Sequence, residues 1–260
     1  MLKSFGSSFT NNGLALSPDG RDIYFTLIPH TKRGAFNLLI ERLSIATGQQ
    51  TLIAHGEAPA ISPDGRQLAY VTGSSSRAIA VRDLRSGRTR SVDVTTLPGI
   101  RADVFFNATI SWIANPAELA LITSTTSPVA VSDPSKASHM QPPVRARGPC
   151  GAHQVQFCLI IVRLPATSHG VTDRSYALPP AVTYVRATAS DSATPGSILI
   201  ARDGSPDTDF IDRITPGPST VSIQQLALIP AGLALSFDAT GDRLLYLIGH
   251  AGERRSVRRR

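Results

Sequence analysis

The phrase Ser-Pro-Asp-Gly occurs twice in this chain, at residues 17–20 in "LALSPDGRDIYFT" and at residues 62–65 in "APAISPDGRQLAYVT". Proline presets φ at the first corner of a turn, the aspartate carboxylate accepts hydrogen bonds from nearby backbone N–H groups, and glycine adopts the positive φ that other residues resist. Each phrase therefore predicts a tight turn that joins two strands in a hairpin.

The strands beside these turns predict how the hairpins pack. The leaving strands, "RDIYFTLI" and "RQLAYVT", are apolar on both faces over part of their length, and the entering strands, "GLALS" and "APAIS", are small and apolar. A strand that is apolar on both faces must be covered on both faces. We therefore expect each hairpin to belong to a sheet that is packed between two others.

The hairpins recur at a nearly constant interval. The first apolar residue after the turn is Ile23 in the first copy and Leu68 in the second, 45 residues later. Three weaker copies follow after steps of 51, 79 and 46 residues, at Leu119, Ile198 and Leu244. This spacing is typical of a repeat protein in which each repeat forms one small structural unit.

The one long step has a visible cause in residues 124–153. This stretch is rich in Pro, Ser, Ala and Arg and shows little strand pattern. It predicts a surface insertion of about thirty residues, of the kind that a loop tip tolerates. Without the insertion, the long step returns to the common period.

A second hairpin follows in each of the first two periods, with its turn at Thr47-Gly48 or at Ser86-Gly87. Four strands in each period are the signature of a β-propeller blade. We therefore predict an all-β chain that forms a single β-propeller of four-stranded antiparallel blades, with about five blades visible. The predicted blade cores lie near residues 14–55, 58–97, 104–180, 182–230 and 231–250, and residues 251–260 form a basic tail.

The sequence does not decide whether the blades form a closed ring. The count gives four full copies and the start of a fifth, and an incomplete ring would leave unpaired strand edges. Either the N-terminal "LKSFGSSFT" completes the last blade as a closing strand, or the chain is a truncated or degenerate propeller. We favour the second reading.

The charge and hydropathy of the chain exclude several classes of protein. Of the net charge of +7, the last ten residues contribute +4, so the body has too weak a positive charge to predict nucleic-acid binding. The N-terminus lacks the apolar core of a signal peptide, and the longest apolar run, "FCLIIV", is too short to span a bilayer. We expect a soluble chain without an export signal, cytoplasmic by default.

No catalytic motif is found. There is no G-x-S-x-G pentapeptide for a nucleophilic serine, and the six histidines include no H-x-x-x-H pair. His153 lies between Cys150 and Cys158, but a fourth metal ligand is not apparent. The two cysteines either pair across a hairpin or remain free thiols. We expect no catalytic residue, no cofactor and no metal site.

Three further clusters have a structural explanation that we prefer. The acidic segment "RDGSPDTDFID" does not match the spacing of a calcium loop and predicts a solvated loop; it contains Asp203, Asp207, Asp209 and Asp212. The basic cluster "VRARG" at residues 144–148 lacks aromatic neighbours for stacking on bases and also predicts a solvated loop. Trp112 is expected to wedge between adjacent blades.

The repeats resemble those of WD-repeat-like propellers of the TolB type, whose blades contain a (W)SPDG phrase followed by a strand of the form LA(Y/F). "LSPDGRDIYF" and "ISPDGRQLAY" match this phrase closely, and "ISWIANPAELAL" matches it through Ser111-Trp112 and the final apolar strand. The following element of the family appears as "RDLRSG" and loosely as "LSIATG". The resemblance is strong over residues 1–125, weakens over 124–195, and implies a bacterial protein with an association to the cell envelope through a partner or a lost segment.

The fold and the resemblance together suggest a non-enzymatic scaffold for protein or ligand binding. Small residues of the inner strands, Ala15, Ala60 and Ala234, would line a central channel, and partners would bind the turns and loops of the two faces, chiefly the 124–153 insertion. The alternative is the propeller portion of a prolyl-oligopeptidase-type serine peptidase that lacks its catalytic domain. A third hypothesis is a small ligand or metal in the channel.

Overall fold

The computed structural model describes the chain in segments, namely residues 8–28, 38–72, 78–93, 109–113, 118–124, 144–147, 157–164, 171–179, 182, 185–205, 208–230, 234–237 and 244–247. All elements in these segments are β-strands, and no helix occurs among them. Consequently the described residues contain no helix that could cross a membrane.

The described strands form five antiparallel sheets. The first contains β1 (Ser8–Leu16), β2 (Asp22–Ile28), β3 (Leu39–Ser44) and β4 (Gln50–His55). The second contains β5 (Glu57–Ile61), β6 (Gln67–Val71), β7 (Ala78–Asp83) and β8 (Thr89–Asp93). The third contains β9 (Thr109–Trp112), β10 (Glu118–Ser124), β12 (Phe157–Arg163) and β13 (Val171–Ala177).

The fourth sheet contains β14 (Val185–Ser190), β15 (Ile198–Ser205), β16 (Thr208–Pro216) and β17 (Thr220–Pro230), and β11 (Val144–Arg147) is added outside β17. The fifth contains β18 (Ala234–Phe237) and β19 (Leu244–Leu247). The first four sheets are four-stranded antiparallel blades arranged as a β-propeller, which confirms the predicted fold. The last sheet has two described strands.

The two Ser-Pro-Asp-Gly turns have the same geometry. In the first, the Ser17 hydroxyl donates to Asp19 Oδ1 at 2.7 Å and accepts the backbone N–H of Asp22 at 2.9 Å. In the second, Ser62 donates to Asp64 at 2.6 Å and accepts the N–H of Gln67 at 2.9 Å. The glycine that ends each turn has a φ of +71°. The serine therefore closes each hairpin by binding the first residue of the leaving strand.

The predicted two-sided burial is observed in the second strand of a blade. Leu68 and Tyr70 of β6 pack into a cluster shared with the first blade, whereas Ala69 and Val71 face a cluster shared with the third. In β12, Cys158 and the next alternate residues face the second blade, and the residues between them face the fourth. The blades are therefore held together by apolar faces that alternate along each strand.

The innermost strands meet around one axis. β1 contacts β5, β5 contacts β9, β9 contacts β14, and β18 contacts both β14 and β1. The five inner strands thus form a closed circuit. The described end of the N-terminal segment, Ser8–Thr10, lies within β1, where Ser8 and Phe9 pair with β2 of the first blade rather than with the last sheet.

One sequence expectation about the insertion was wrong. Residues 144–147, predicted as part of a solvated loop with little strand pattern, form β11, which pairs antiparallel with β17. The pairing joins a segment that leaves the third blade to the outer edge of the fourth. The rest of the 124–153 insertion beyond Ser124, the turns at Asn115-Pro116 and Thr240-Gly241, and the basic tail at 251–260 lie outside the described residues.

Candidate functional site

A small cavity lies on the axis where the five inner strands meet. Its lining includes Ala15 and Ala60, as predicted, together with Ser111, Thr188 and Phe237. The space open to water is about 30 Å³, which holds a few water molecules at most. Ligand sites for small molecules typically occupy about 300–1,000 Å³. This cavity is therefore smaller than a typical small-molecule site, and Ala234, the third predicted lining residue, belongs to β18.

Two hydroxyl groups give this cavity a polar spot. Ser111 Oγ on β9 and Thr188 Oγ1 on β14 are both buried, and neither has a hydrogen-bond partner in the described part of the chain. A buried hydroxyl without a partner loses its hydration on folding, which costs free energy. No pattern in the sequence predicts this pair, because the two residues are 77 positions apart and both reach the cavity only through blade packing.

A carboxylate lies at the start of the inner strand of the second blade. Burial raises the pKa of the Glu57 carboxyl above its ordinary value. The next residue, Ala58, has a φ of +53°, and a β-bulge separates Glu57 from Ala60. Gly13 and Gly56 lie so close to neighbouring atoms that neither has room for a side chain. An added Cβ on Gly56 would approach the Val71 carbonyl oxygen to 2.3 Å. The backbone around Glu57 is therefore tightly fixed.

The acidic segment of the fourth blade is not the solvated loop that the sequence predicted. Asp209 and Asp212 lie in β16 and are buried, with exposures of 1% and 0%. Asp212 Oδ2 accepts a hydrogen bond from Arg202 Nε at 2.6 Å, and Arg186 binds Asp203 and lies near Asp209. Asp207 lies outside the described residues.

The reason for this correction is strand alternation. Ile198, Ile200 and Arg202 share one face of β15, so the arginine follows two core residues into the interior. Asp212 lies opposite Ile200 on the same face, where burial raises its pKa and the Arg202 guanidinium opposes that rise. The buried carboxylate is therefore matched to an arginine, which is the arrangement expected of a structural ion pair.

The Arg202 and Asp212 pair leaves two polar atoms without partners. Within the described segments, Asp212 Oδ1 is buried and has no hydrogen-bond partner, and the same is true of Nε2 of Gln225, which lies directly opposite Asp212 on β17. Arg202 also stacks over the ring of Phe210, 4.3 Å from its centroid. A second ion pair joins Arg213 to the buried Asp191. Both pairs lie within the fourth blade.

The remaining candidate residues have structural surroundings. Trp112 packs in the cluster between the second and third blades, and its indole N–H donates to the Ala60 carbonyl at 3.0 Å, which confirms the predicted wedge. Cys158 is fully buried and disulfide-bonded. Cys150 and His153 lie outside the described residues. No cluster of three metal-ligating side chains is found within the segments that the structure describes.

Comparison with known proteins shows the fold. No family model matches the sequence, and no curated protein matches it either. Among solved structures, TolB from Acinetobacter baumannii is similar, with a TM-score of 0.53 and 15% identity over 94% of this chain and 50% of that chain. The chain thus spans half the length of that TolB. Its fold is a TolB-like β-propeller.

Two peptidases also match this chain over part of their own length. The acylaminoacyl peptidase of Pyrococcus horikoshii matches with a TM-score of 0.48 and 13% identity over 92% of this chain and 35% of that chain. The tricorn protease matches with a TM-score of 0.46 and 13% identity over 94% of this chain and 24% of that chain.

Proposed function

We propose that this chain is a non-enzymatic β-propeller scaffold that binds protein partners through its faces and its 124–153 insertion. The main support is the axial cavity, which is lined by all five inner strands and leaves only about 30 Å³ open to water. Such a cavity is too small for a substrate, so recognition falls to the outer surfaces. Propellers of one fold serve many functions, and the surface of the individual chain decides which.

The buried charges of the fourth blade support the same proposal. A catalytic carboxylate must be accessible to a substrate. Asp212 is instead fully buried and accepts a hydrogen bond from Arg202. Asp191 is likewise bonded to Arg213. Both carboxylates are therefore engaged in ion pairs, which supports a structural role for them.

The experiment compares the whole chain with a variant in which residues 128–141 are replaced by a short Gly-Ser linker. Both are immobilised, and partners from a lysate of the source cells are identified and then purified for binding measurements. We expect a purified partner to bind the whole chain at least tenfold more tightly than the variant. Equal binding would contradict a role for the insertion.

An assay of peptide hydrolysis separates the scaffold from an enzyme. The purified chain should not cleave a panel of short chromogenic peptides. Turnover that copurifies with the chain and is lost on unfolding would overturn the proposal and favour a peptidase-type activity.

A further inference from the structure

The outer edge of the fourth blade is only partly paired. β17 extends over Thr220–Pro230, and β16 pairs with it along one side from Val221 to Pro230. On the other side, β11 pairs only with Thr220–Ile223. No described strand covers the next residues on that side, Gln224–Pro230, which we call the open edge.

The sequence explains why the chain's own strand stops at this point. The pairing of β11 with β17 ends where Val144 meets Ile223. The residues immediately before Val144 are Pro142 and Pro143. Proline has no backbone N–H, so the sequence before Val144 lacks two of the donors that a longer β11 would need.

The open edge lacks one common protection against pairing, namely charged side chains. Natural edge strands are commonly blunted by charged side chains, especially lysine. The open edge reads "QQLALIP" and contains no charged residue. Leu228, near its end, is one of three large hydrophobic residues that are strongly exposed in the described part of the chain, at 45%. An added strand binds through hydrogen bonds to the backbone of the edge, and an exposed apolar side chain beside that backbone gives it a surface to pack on.

We propose that the open edge, Gln224–Pro230, binds an extended, proline-poor peptide segment of a partner protein by strand addition. The occupant is an extended strand because β11 already occupies the preceding four residues of the same edge in that form. Main-chain hydrogen bonds give the affinity, and an apolar side chain of the peptide packs on Leu228. Leu226 is the extra residue of a bulge in β17, so the added segment is short.

This inference rests on the proposed scaffold function and names the partner class for one surface. Its first test is amide hydrogen exchange of the purified chain. The outward-facing amides of Gln224–Ile229 should exchange much faster than the paired amides of Thr220–Ile223. Equal protection of the two stretches would show that the open edge is already covered, and it would overturn the proposal.

The second test uses a library of random, phage-displayed decapeptides selected on the purified chain. Selected peptides should slow exchange of the Gln224–Ile229 amides and should bind Leu228→Lys at least tenfold more weakly. The matched control is Leu52→Lys, a substitution at an exposed leucine of β4 on the first blade, which should leave binding unchanged. Both leucines are about half exposed, so neither lysine should alter the thermal unfolding midpoint.

Three outcomes of the selection would overturn the strand-addition proposal. They are the absence of any selected peptide, protection of amides elsewhere, and equal loss of binding in the two lysine variants. A partner protein that binds the wild type and Leu228→Lys equally would leave the scaffold function standing while excluding this edge. Failure of the proposal and failure of the scaffold function are therefore distinguishable.

Discussion

The indole N–H of Trp112 in the third blade donates a hydrogen bond to the carbonyl of Ala60 in the second blade, at 3.0 Å. The indole ring itself packs between the two blades and is 2% exposed. A corresponding bond crosses the next boundary, where the Tyr176 hydroxyl donates to the Gly217 carbonyl. At these two boundaries, adjacent blades are therefore joined by a directed hydrogen bond in addition to apolar packing.

The first prediction concerns Trp112. Replacing it with alanine removes a buried aromatic ring and the bond to Ala60, so Trp112→Ala should lower the free energy of unfolding by about 3–5 kcal/mol. Trp112→Phe keeps part of the packing and should lower the free energy of unfolding by a smaller amount. Denaturant unfolding followed by far-UV circular dichroism measures both values. Leu52→Ala, at an exposed position, is the control and should cost little. A small loss of unfolding free energy for Trp112→Ala would contradict the role of Trp112 as a wedge between the two blades.

The second prediction concerns the serine of the turn. Ser62 is buried and binds both Asp64 and the N–H of Gln67, so Ser62→Ala should lower the free energy of unfolding by about 1–3 kcal/mol. The hydrogen bond from Ser62 is the main cause that lowers the pKa of Asp64. In the variant, this pKa should therefore rise toward its ordinary value, which a carboxyl NMR titration measures.

The pH dependence of that turn follows from the direction of the shift. Because the pKa of Asp64 is lower in the folded chain, the stabilisation is present above the ordinary value of 3.8 and is lost as pH falls through the folded pKa. Wild type should therefore lose more stability on acidification than Ser62→Ala does. The same acid loss in both proteins would contradict the role given to Ser62.

The third prediction concerns the buried ion pair of the fourth blade. Arg202→Met leaves Asp212 buried without its partner and should cost about 3–5 kcal/mol at neutral pH. The double variant Arg202→Met/Asp212→Leu removes both charges and should restore most of this loss. Arg21→Met is the control, because it removes the arginine of an exposed ion pair with Asp19 and should leave the stability nearly unchanged. A double variant as unstable as Arg202→Met would contradict the account.

The sign of the pH effect at Asp212 is opposite to that at Asp64. Burial raises the pKa of Asp212, so its contribution is most favourable below its unfolded pKa and is lost as pH rises through the folded value. Without the Arg202 charge, the pKa should rise further. The stability gap between Arg202→Met and wild type should therefore narrow at acidic pH, and a gap independent of pH would argue against burial of the charge.

The fourth prediction compares two glycines. Gly56 has a φ of +154°, and an added Cβ would meet the Val71 carbonyl oxygen at 2.3 Å. Gly48 has a φ of +67° with open space around it. Gly48→Ala should cost about 1–2 kcal/mol of left-handed strain. Gly56→Ala adds a backbone clash at the start of the inner strand and should cost clearly more. Equal costs would show that β5 is not held against β6 as described.

The fold followed from the sequence because its signals are local. The Ser17 and Ser62 turns, their glycines and the two-sided apolar strands each predict their own structure and agree with one period. The ion pairs could not be predicted from local sequence signals, because Arg202 and Asp212 are brought together by the register of β15 and β16. The β11 strand was missed for the same reason, because four residues with no apolar run pair with β17, far along the chain.

The candidate surfaces were harder to predict than the fold. Glu57 precedes a recognisable inner strand, but its raised pKa depends on how the strand start is buried. The open edge of β17 could be located only once β11 was seen to stop at Ile223. Trp112 was predictable as a wedge because its position in the repeat places it on an inner strand.

The central claim is that the inner strands of all five sheets close around one axis, and nuclear Overhauser effects from the Phe237 ring test it directly. Phe237 on β18 lines the same cavity as Ala189 on β14 and Ala15 on β1. We predict cross-peaks from the ring to both inner strands, β14 and β1. Cross-peaks to β14 alone, with none to β1, would show an open arc and contradict the account.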